Sequence, residues 1–70
     1  MRELDTTEAA SAYIGAAVGT LRYWRHRGLG PPSFKVGRRV LYRRDDLDKW
    51  LDAQYAATVQ GEFLETPPIA

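Results

Sequence analysis

The 70-residue chain has no cysteine, a single histidine and no long run of apolar residues. Without cysteine it can form neither a disulfide framework nor a thiolate metal site, which fits a reducing compartment such as the cytoplasm. Because it also shows no signal peptide, we expect it neither to enter nor to span a membrane. A chain of this length is expected to form one domain with a small core.

The residue types that catalysis requires are equally scarce. The one histidine is His26, and the acids lie at predicted helix starts or on a polar helix face, where structural roles account for them. Gly28-Leu29-Gly30 runs into two prolines and therefore cannot open a helix around a phosphate. The sequence predicts a protein that is not an enzyme and that uses no cofactor, metal or small-molecule ligand. His26 is then either a nucleic-acid contact or an ordinary surface residue.

Acids are missing from the whole middle of the chain. The net charge is only +1, from ten Lys+Arg and nine Asp+Glu, yet no acid occurs between residues 9 and 44. That segment holds eight of the ten cationic side chains: Arg22, Arg25, Arg27, Lys35, Arg38, Arg39, Arg43 and Arg44. A fold that collects it on one side would carry a concentrated positive face, the usual electrostatic footprint of a protein that binds a phosphate backbone.

A first helix is expected to begin at Thr6 or Thr7 and to stop at Gly15. Either threonine can cap the free amides of the first turn. Asp5 and Glu8, three residues apart, offer a competing capping box. The sequence does not decide which residue is the N-cap, but all the alternatives place the start of the helix within the same turn.

A second helix is predicted for residues 18–27, after a connection short enough to make a helix-turn-helix pattern. Leu21 and Trp24 share its apolar face, Gly28 ends it, and Ala17 leaves its first turn without a side-chain cap. The opposite face carries Arg22, Tyr23, Arg25 and His26. This face suits a polyanion; an ordinary solvated basic face is the alternative.

A β-hairpin is predicted next, with strands at residues 33–36 and 40–42. Phe34 and Val36 alternate with polar neighbours, as in a half-buried strand. The tip, residues 37–39, carries two arginines, which are hard to explain by packing. They could enter a narrow minor groove or grip phosphates, or they could simply make the turn soluble.

A third helix is expected to start near Asp45 and Asp46, whose charges favour a helix N-terminus. Its apolar stripe runs through Leu47, Trp50, Leu51 and Gln54 or Tyr55, and it should fade between residues 55 and 59. We therefore assign residues 1–59 to one domain and residues 60–70 to a flexible tail. Within the tail, Phe63-Leu64 could be a docking peptide for a partner or could be idle.

Taken together, these elements predict a mainly α fold with a small β-hairpin (α+β). Their order is helix–helix–strand–strand–helix, the order that the resemblance described next identifies as a winged helix-turn-helix.

The order of motifs resembles that of the excisionase-type winged helix-turn-helix domains, which are related to the DNA-binding domain of MerR regulators. The resemblance covers about residues 6–51. The motifs that carry it are Thr20-Leu21-Arg22-Tyr23 in the second helix, Val36-Gly37-Arg38-Arg39-Val40 in the hairpin and Asp46-Leu47 with Trp50-Leu51 in the third helix. One departure is Ala17, where members of this family usually carry a serine cap.

The resemblance implies how the residues would meet DNA. The second helix would lie in a major groove and the hairpin, as the wing, in or over the adjacent minor groove. The implied contacts of the second helix are Thr20, Arg22, Tyr23, Arg25 and His26. Those of the wing are Lys35, Arg38 and Arg39. Possible backbone contacts are Thr7, Arg43 and Arg44.

The resemblance also implies a role. Small size with no effector domain matches phage excisionases, or recombination directionality factors, which bind repeated sites in an attachment region, bend the DNA and direct integrase towards excision. The implied partners are double-stranded DNA, a phage integrase and further copies of the chain associated head to tail, in the cytoplasm of a bacterial host. A small MerR- or AlpA-like transcriptional regulator is the alternative. A winged helix whose basic face meets an acidic protein is a third reading.

Overall fold

The computed structural model describes residues 3–61 and consists of three helices packed on a three-stranded antiparallel sheet. In chain order the elements are β1 (Leu4–Thr6), α1 (Thr7–Ile14), α2 (Val18–Arg27), β2 (Phe34–Val36), β3 (Arg39–Arg43) and α3 (Arg44–Thr58). The predicted α+β winged helix-turn-helix is confirmed. The predicted tail lies mostly outside the described residues, and so does its Phe63-Leu64 segment.

The sheet contains a strand that the sequence did not predict. The order is β1-β3-β2, and β1 pairs Leu4 with Arg43 and Thr6 with Leu41. The sequence predicts no element before the first helix, which is expected to begin at Thr6 or Thr7. That expectation was wrong for Leu4 and Asp5, because their strand is stabilised by pairing with a segment more than thirty residues away rather than by a local pattern.

The prediction of a half-buried β2 was also wrong. Phe34 is 37% exposed and Val36 is 55% exposed. Phe34 pairs with Leu41, whereas the neighbouring Tyr42 points into the core. Since side chains alternate along a strand, Phe34 and Val36 lie on the sheet face turned away from the core.

Local signals set both ends of α1. The Thr6 hydroxyl accepts a hydrogen bond from the backbone N–H of Ala9 at 3.1 Å, so Thr6 is the cap and the capping box with Asp5 does not form. Gly15 ends the helix in the left-handed conformation, with φ of 79°. The Ser11 hydroxyl donates to the carbonyl of Ala16 and so ties the turn back to α1.

The second helix follows the predicted boundaries. Ala17 precedes it without a side-chain cap, and Gly28 ends it in the left-handed conformation. Past this end, Gly30 has a φ of +78° and lies against Trp24, where a β-carbon would come within 2.9 Å of the ring. The turn can therefore pass close to Trp24 only because position 30 has no side chain.

The core is small and draws on four elements. Ala10, Leu21, Tyr42 and Leu47 are almost fully buried. Partly buried apolar side chains surround them: Ile14, Trp24 and Val40. The Trp24 and Trp50 rings are 5.6 Å apart between centroids, with planes inclined by 49°. This tilted contact joins α2 to α3 and continues the core at its edge.

The apolar stripe of α3 is shorter than predicted. Leu47 is buried and Trp50 and Leu51 are half-buried, but Tyr55 is 54% exposed. The helix ends at Thr58, within the predicted window. From Asp52 onward its residues are exposed, because this end projects beyond the other elements. No helix within residues 3–61 is both long and apolar enough to cross a membrane.

Candidate nucleic-acid interface

A concave surface of about 400 Å³ lies between the start of α1, the helix α2 and the β2–β3 hairpin. We call it the basic groove. Its lining consists of Thr6, Thr7, Glu8, Arg22, Arg25, Arg38, Arg39, Val40 and Tyr42. Within residues 3–61, the acids of α3 lie outside this lining.

The basic groove brings together predicted site residues from three elements. Thr7 comes from α1, Arg22 and Arg25 from α2, and Arg38 and Arg39 from the hairpin. Four arginines thus line one concavity together with a single acid, Glu8. Guanidinium is a planar cation whose N–H groups match phosphate oxygens, so such a cluster is suited to phosphate groups.

Arg25 is fixed by a contact outside its own helix. Its Nε donates a hydrogen bond to the Ser33 hydroxyl at 2.9 Å, which links α2 to the segment that leads into β2. The groove floor includes Tyr42, whose pKa is raised by burial and lowered to a lesser extent by the nearby charge of Arg25. The bond to Ser33 is a direct side-chain contact between α2 and the segment before the hairpin.

Arg22 is held more loosely. Its Nη2 lies 3.7 Å from Oε2 of Glu8, and both side chains are about 70% exposed. Ion pairs this exposed contribute little to stability, so Arg22 can exchange one anionic partner for another.

On the exposed side of α2, Arg27 contacts the predicted site residue Tyr23 and does not line the basic groove. Its Nη1 donates to the Tyr23 hydroxyl at 2.9 Å, and its guanidinium carbon lies 5.7 Å from the centre of that ring. Tyr23 and Arg27 are four positions apart on the helix, a spacing from which the contact could have been predicted. Of the other predicted residues on this helix, His26 is exposed and Thr20 is half-buried, and neither lines the groove.

The hairpin loop is one residue shorter than predicted. Arg39 is the first residue of β3 and pairs with Val36, so the loop is Gly37-Arg38. Gly37 has a φ of 61° and Arg38 has no positive φ, the pattern of a type II′ hairpin turn. Arg38 is therefore at the tip and Arg39 is anchored in the strand. Lys35 is exposed on β2 and does not line the groove.

Arg44 has a structural role that its sequence position did not suggest. Its Nε and Nη2 donate to the Asp5 carboxylate at 2.7 and 3.0 Å, and this bond raises its pKa above the ordinary value. Its guanidinium lies 3.9 Å from the centre of the Tyr13 ring. Arg43 is half-buried, and no hydrogen-bond partner of its Nε is found among the described residues. Neither arginine lines the basic groove, and their backbone contacts stay a prediction.

The described residues, 3–61, contain no group of three or more His, Asp or Glu side chains arranged to hold a metal ion.

Among known protein families, the model described as "Helix-turn-helix domain" matches residues 3–55. The match includes β1, both helices of the turn, the hairpin and most of α3. Neither a curated protein nor a solved structure matches the chain.

Proposed function

Because this chain belongs to the helix-turn-helix domain family, which supports sequence-specific DNA binding, we propose that it is an excisionase that binds repeated duplex sites and directs an integrase towards excision. One observation carries the DNA-binding part of this proposal. The arginines of α2 and those of the hairpin line the same concavity, although the two pairs are separated in the sequence.

The proposed docking follows from that arrangement. Helix α2 lies in a major groove, and its predicted contact residues face the DNA: Thr20, Arg22, Tyr23, Arg25 and His26. The hairpin reaches the adjacent minor groove with Arg38 at its tip. The sugar-phosphate strand between the two grooves then runs along the basic groove, where guanidinium groups neutralise it.

The fold supports this use of two separate elements. Contacts to phosphates position a protein on the duplex only if the contacting groups keep a set spacing. The bond from Arg25 to Ser33 ties α2 to the approach of β2, and the Trp24–Trp50 contact ties α2 to α3. The helix and the wing can therefore approach the DNA as one unit.

The excisionase role itself is supported by the motif order in α2, the hairpin and α3, which resembles that of excisionase-type domains. Several copies on adjacent sites, associated head to tail, would give a 70-residue chain useful affinity and would curve the DNA. The proposed partners are duplex DNA, the integrase and further copies of the chain.

Recombination in vitro tests the proposal. A candidate integrase from the same genome and its attachment-site DNA are combined with and without the protein, and excision and integration are measured separately. We expect stimulated excision and inhibited integration. The variant Arg38→Ala with Arg39→Ala should lose both effects, while Lys49→Ala, which removes a cation outside the basic groove, should retain them. Specific DNA binding without an effect on either reaction would contradict the excisionase role and indicate a transcriptional regulator of the same fold.

A further inference from the structure

The basic groove contains one acid, Glu8, among its lining residues. It shares this lining with four arginines and pairs with one of them, since its Oε2 lies 3.7 Å from Nη2 of Arg22. In the sequence it is the last acid before the acid-free segment that begins at residue 9. A carboxylate in this place works against the binding of any anion to the groove.

Folding does not account well for Glu8. The pair with Arg22 is about 70% exposed on both sides, and pairs of this kind are among the weakest contributors to stability. The start of α1 already has its cap, because Thr6 accepts the N–H of Ala9. An acid in the first turn favours a helix modestly through the helix dipole, but that benefit does not require a position inside a cluster of arginines.

From these contacts we infer that Glu8 is a built-in competitor for the phosphate position and sets the affinity of the groove for DNA. In the free protein the Glu8 carboxylate is paired with the Arg22 guanidinium. A phosphate that enters the groove must displace the carboxylate from Arg22 and then remain close to its negative charge. This inference rests on the proposed DNA binding and adds to it a residue that weakens the binding.

The predicted effect is independent of base sequence. Phosphate contacts carry no sequence information directly, so a group that competes with phosphate weakens binding to every duplex alike. Because the Glu8 charge offsets that of Arg22, it also reduces the number of counterions that DNA binding releases. Glu8 would thus limit how firmly the protein holds unrelated DNA, and would leave discrimination to the base contacts of α2.

Glu8→Gln tests the inference, with Glu3→Gln as the matched control. Both substitutions remove one negative charge, and both glutamates are about 70% exposed and lie within 4 Å of an arginine. Glu3 pairs with Arg44 at 3.8 Å and does not line the groove. Affinity for a duplex of unrelated sequence is measured over a range of salt concentrations, and circular dichroism checks that both variants fold.

We expect Glu8→Gln to bind on the order of three- to tenfold more tightly than the wild type, and Glu3→Gln to change affinity by less than about twofold. The salt dependence of Glu8→Gln should steepen by up to about 0.9 in slope. In an Arg22→Ala background the gain from Glu8→Gln should shrink, because the competition acts through Arg22.

Equal effects of Glu8→Gln and Glu3→Gln would overturn the inference, since the gain would then reflect net charge alone. Weaker binding by Glu8→Gln would also overturn it and would make Glu8 a DNA contact or a support for Arg22. If the wild-type protein fails to bind duplex DNA even at low salt, the proposed function itself fails, which is a separate result.

Discussion

Arg44 holds Asp5 through two hydrogen bonds, Nε to Oδ2 at 2.7 Å and Nη2 to Oδ1 at 3.0 Å, between residues 39 positions apart. The Asp5 carboxylate is 7% exposed and the Arg44 side chain 27% exposed. The bond fastens β1 to the first residue of α3. Since α1 follows β1 directly, the Asp5–Arg44 bond also fixes the position of the first turn of α1, whose residues line the basic groove.

Asp5→Ala should lower the free energy of unfolding by about 2–3 kcal/mol, because it leaves the partly buried charge of Arg44 without its main partner. Glu3→Ala is the control, since Glu3 approaches the same arginine from an exposed position and should cost less than about 1 kcal/mol. Urea unfolding followed by circular dichroism measures both. Equal losses would show that the Asp5–Arg44 contact does not fasten the strand.

Gly30→Ala should destabilise the fold more than Gly15→Ala. The two glycines have nearly the same φ, +78° and +79°, so the cost of placing an alanine at a positive φ should be the same in both variants. A β-carbon at position 30 would lie 2.9 Å from Cε3 of Trp24, whereas position 15 faces open space. We expect an extra loss of about 1–3 kcal/mol for Gly30→Ala in thermal or urea unfolding. Similar losses for both variants would contradict the close approach of the turn to Trp24.

Tyr13 should titrate above an ordinary tyrosine. Its hydroxyl donates to Oδ1 of Asp48 at 2.5 Å, and this bond, with the negative charge of Asp48, raises its pKa above 10.0 although Arg44 opposes the shift. The folded state favours the neutral phenol. The stabilisation that the Tyr13–Asp48 bond gives to the folded protein is therefore complete below the pKa that Tyr13 has in the unfolded chain. It is lost as the pH rises through the higher pKa that Tyr13 has in the folded protein.

The difference in phenolate absorbance between the wild type and Tyr13→Phe isolates this titration. Asp48→Asn should lower the Tyr13 pKa towards its ordinary value. A Tyr13 pKa at or below the ordinary value in the wild type, or one that Asp48→Asn leaves unchanged, would contradict the hydrogen bond.

Replacing Arg38 and Arg39 by alanine should weaken binding to all duplexes alike and should reduce the salt slope by about 0.9 for each phosphate that the wing no longer neutralises. Neither residue belongs to the core, so the fold should persist. Lys49→Ala removes a cation from the exposed face of α3 and should change the slope little. Fluorescence anisotropy with a labelled duplex measures the effect, and unchanged affinity at low salt would exclude a role for the wing.

The parts of the fold that sequence predicted are those with local causes. Gly15 and Gly28 end their helices because each adopts the left-handed conformation, and Ala17 starts α2 without a cap as expected. Strand β1 and the Asp5–Arg44 bond depend on pairing across more than thirty residues, and no local pattern in so short a strand signals them. The exposure of Phe34 depends on which sheet face the helices cover, which alternation alone cannot decide.

For the site, the sequence identified the residue types but not their grouping. The acid-free segment marked the arginines as a set, and the fold selects Arg22, Arg25, Arg38 and Arg39 from that set for the basic groove. It assigns Arg44 to a structural bond instead. Glu8 was considered only as a helix cap, although its position immediately before the acid-free segment was visible in the sequence.

The most direct test of the account is the salt dependence of duplex binding by the unmodified protein, plotted as the logarithm of the association constant against the logarithm of salt concentration. If the four groove arginines each neutralise a phosphate and Glu8 offsets part of their charge, the slope should lie between about −2.7 and −3.6. A slope near zero, or no binding to duplex DNA at low salt, would contradict the claim that the basic groove binds the DNA backbone.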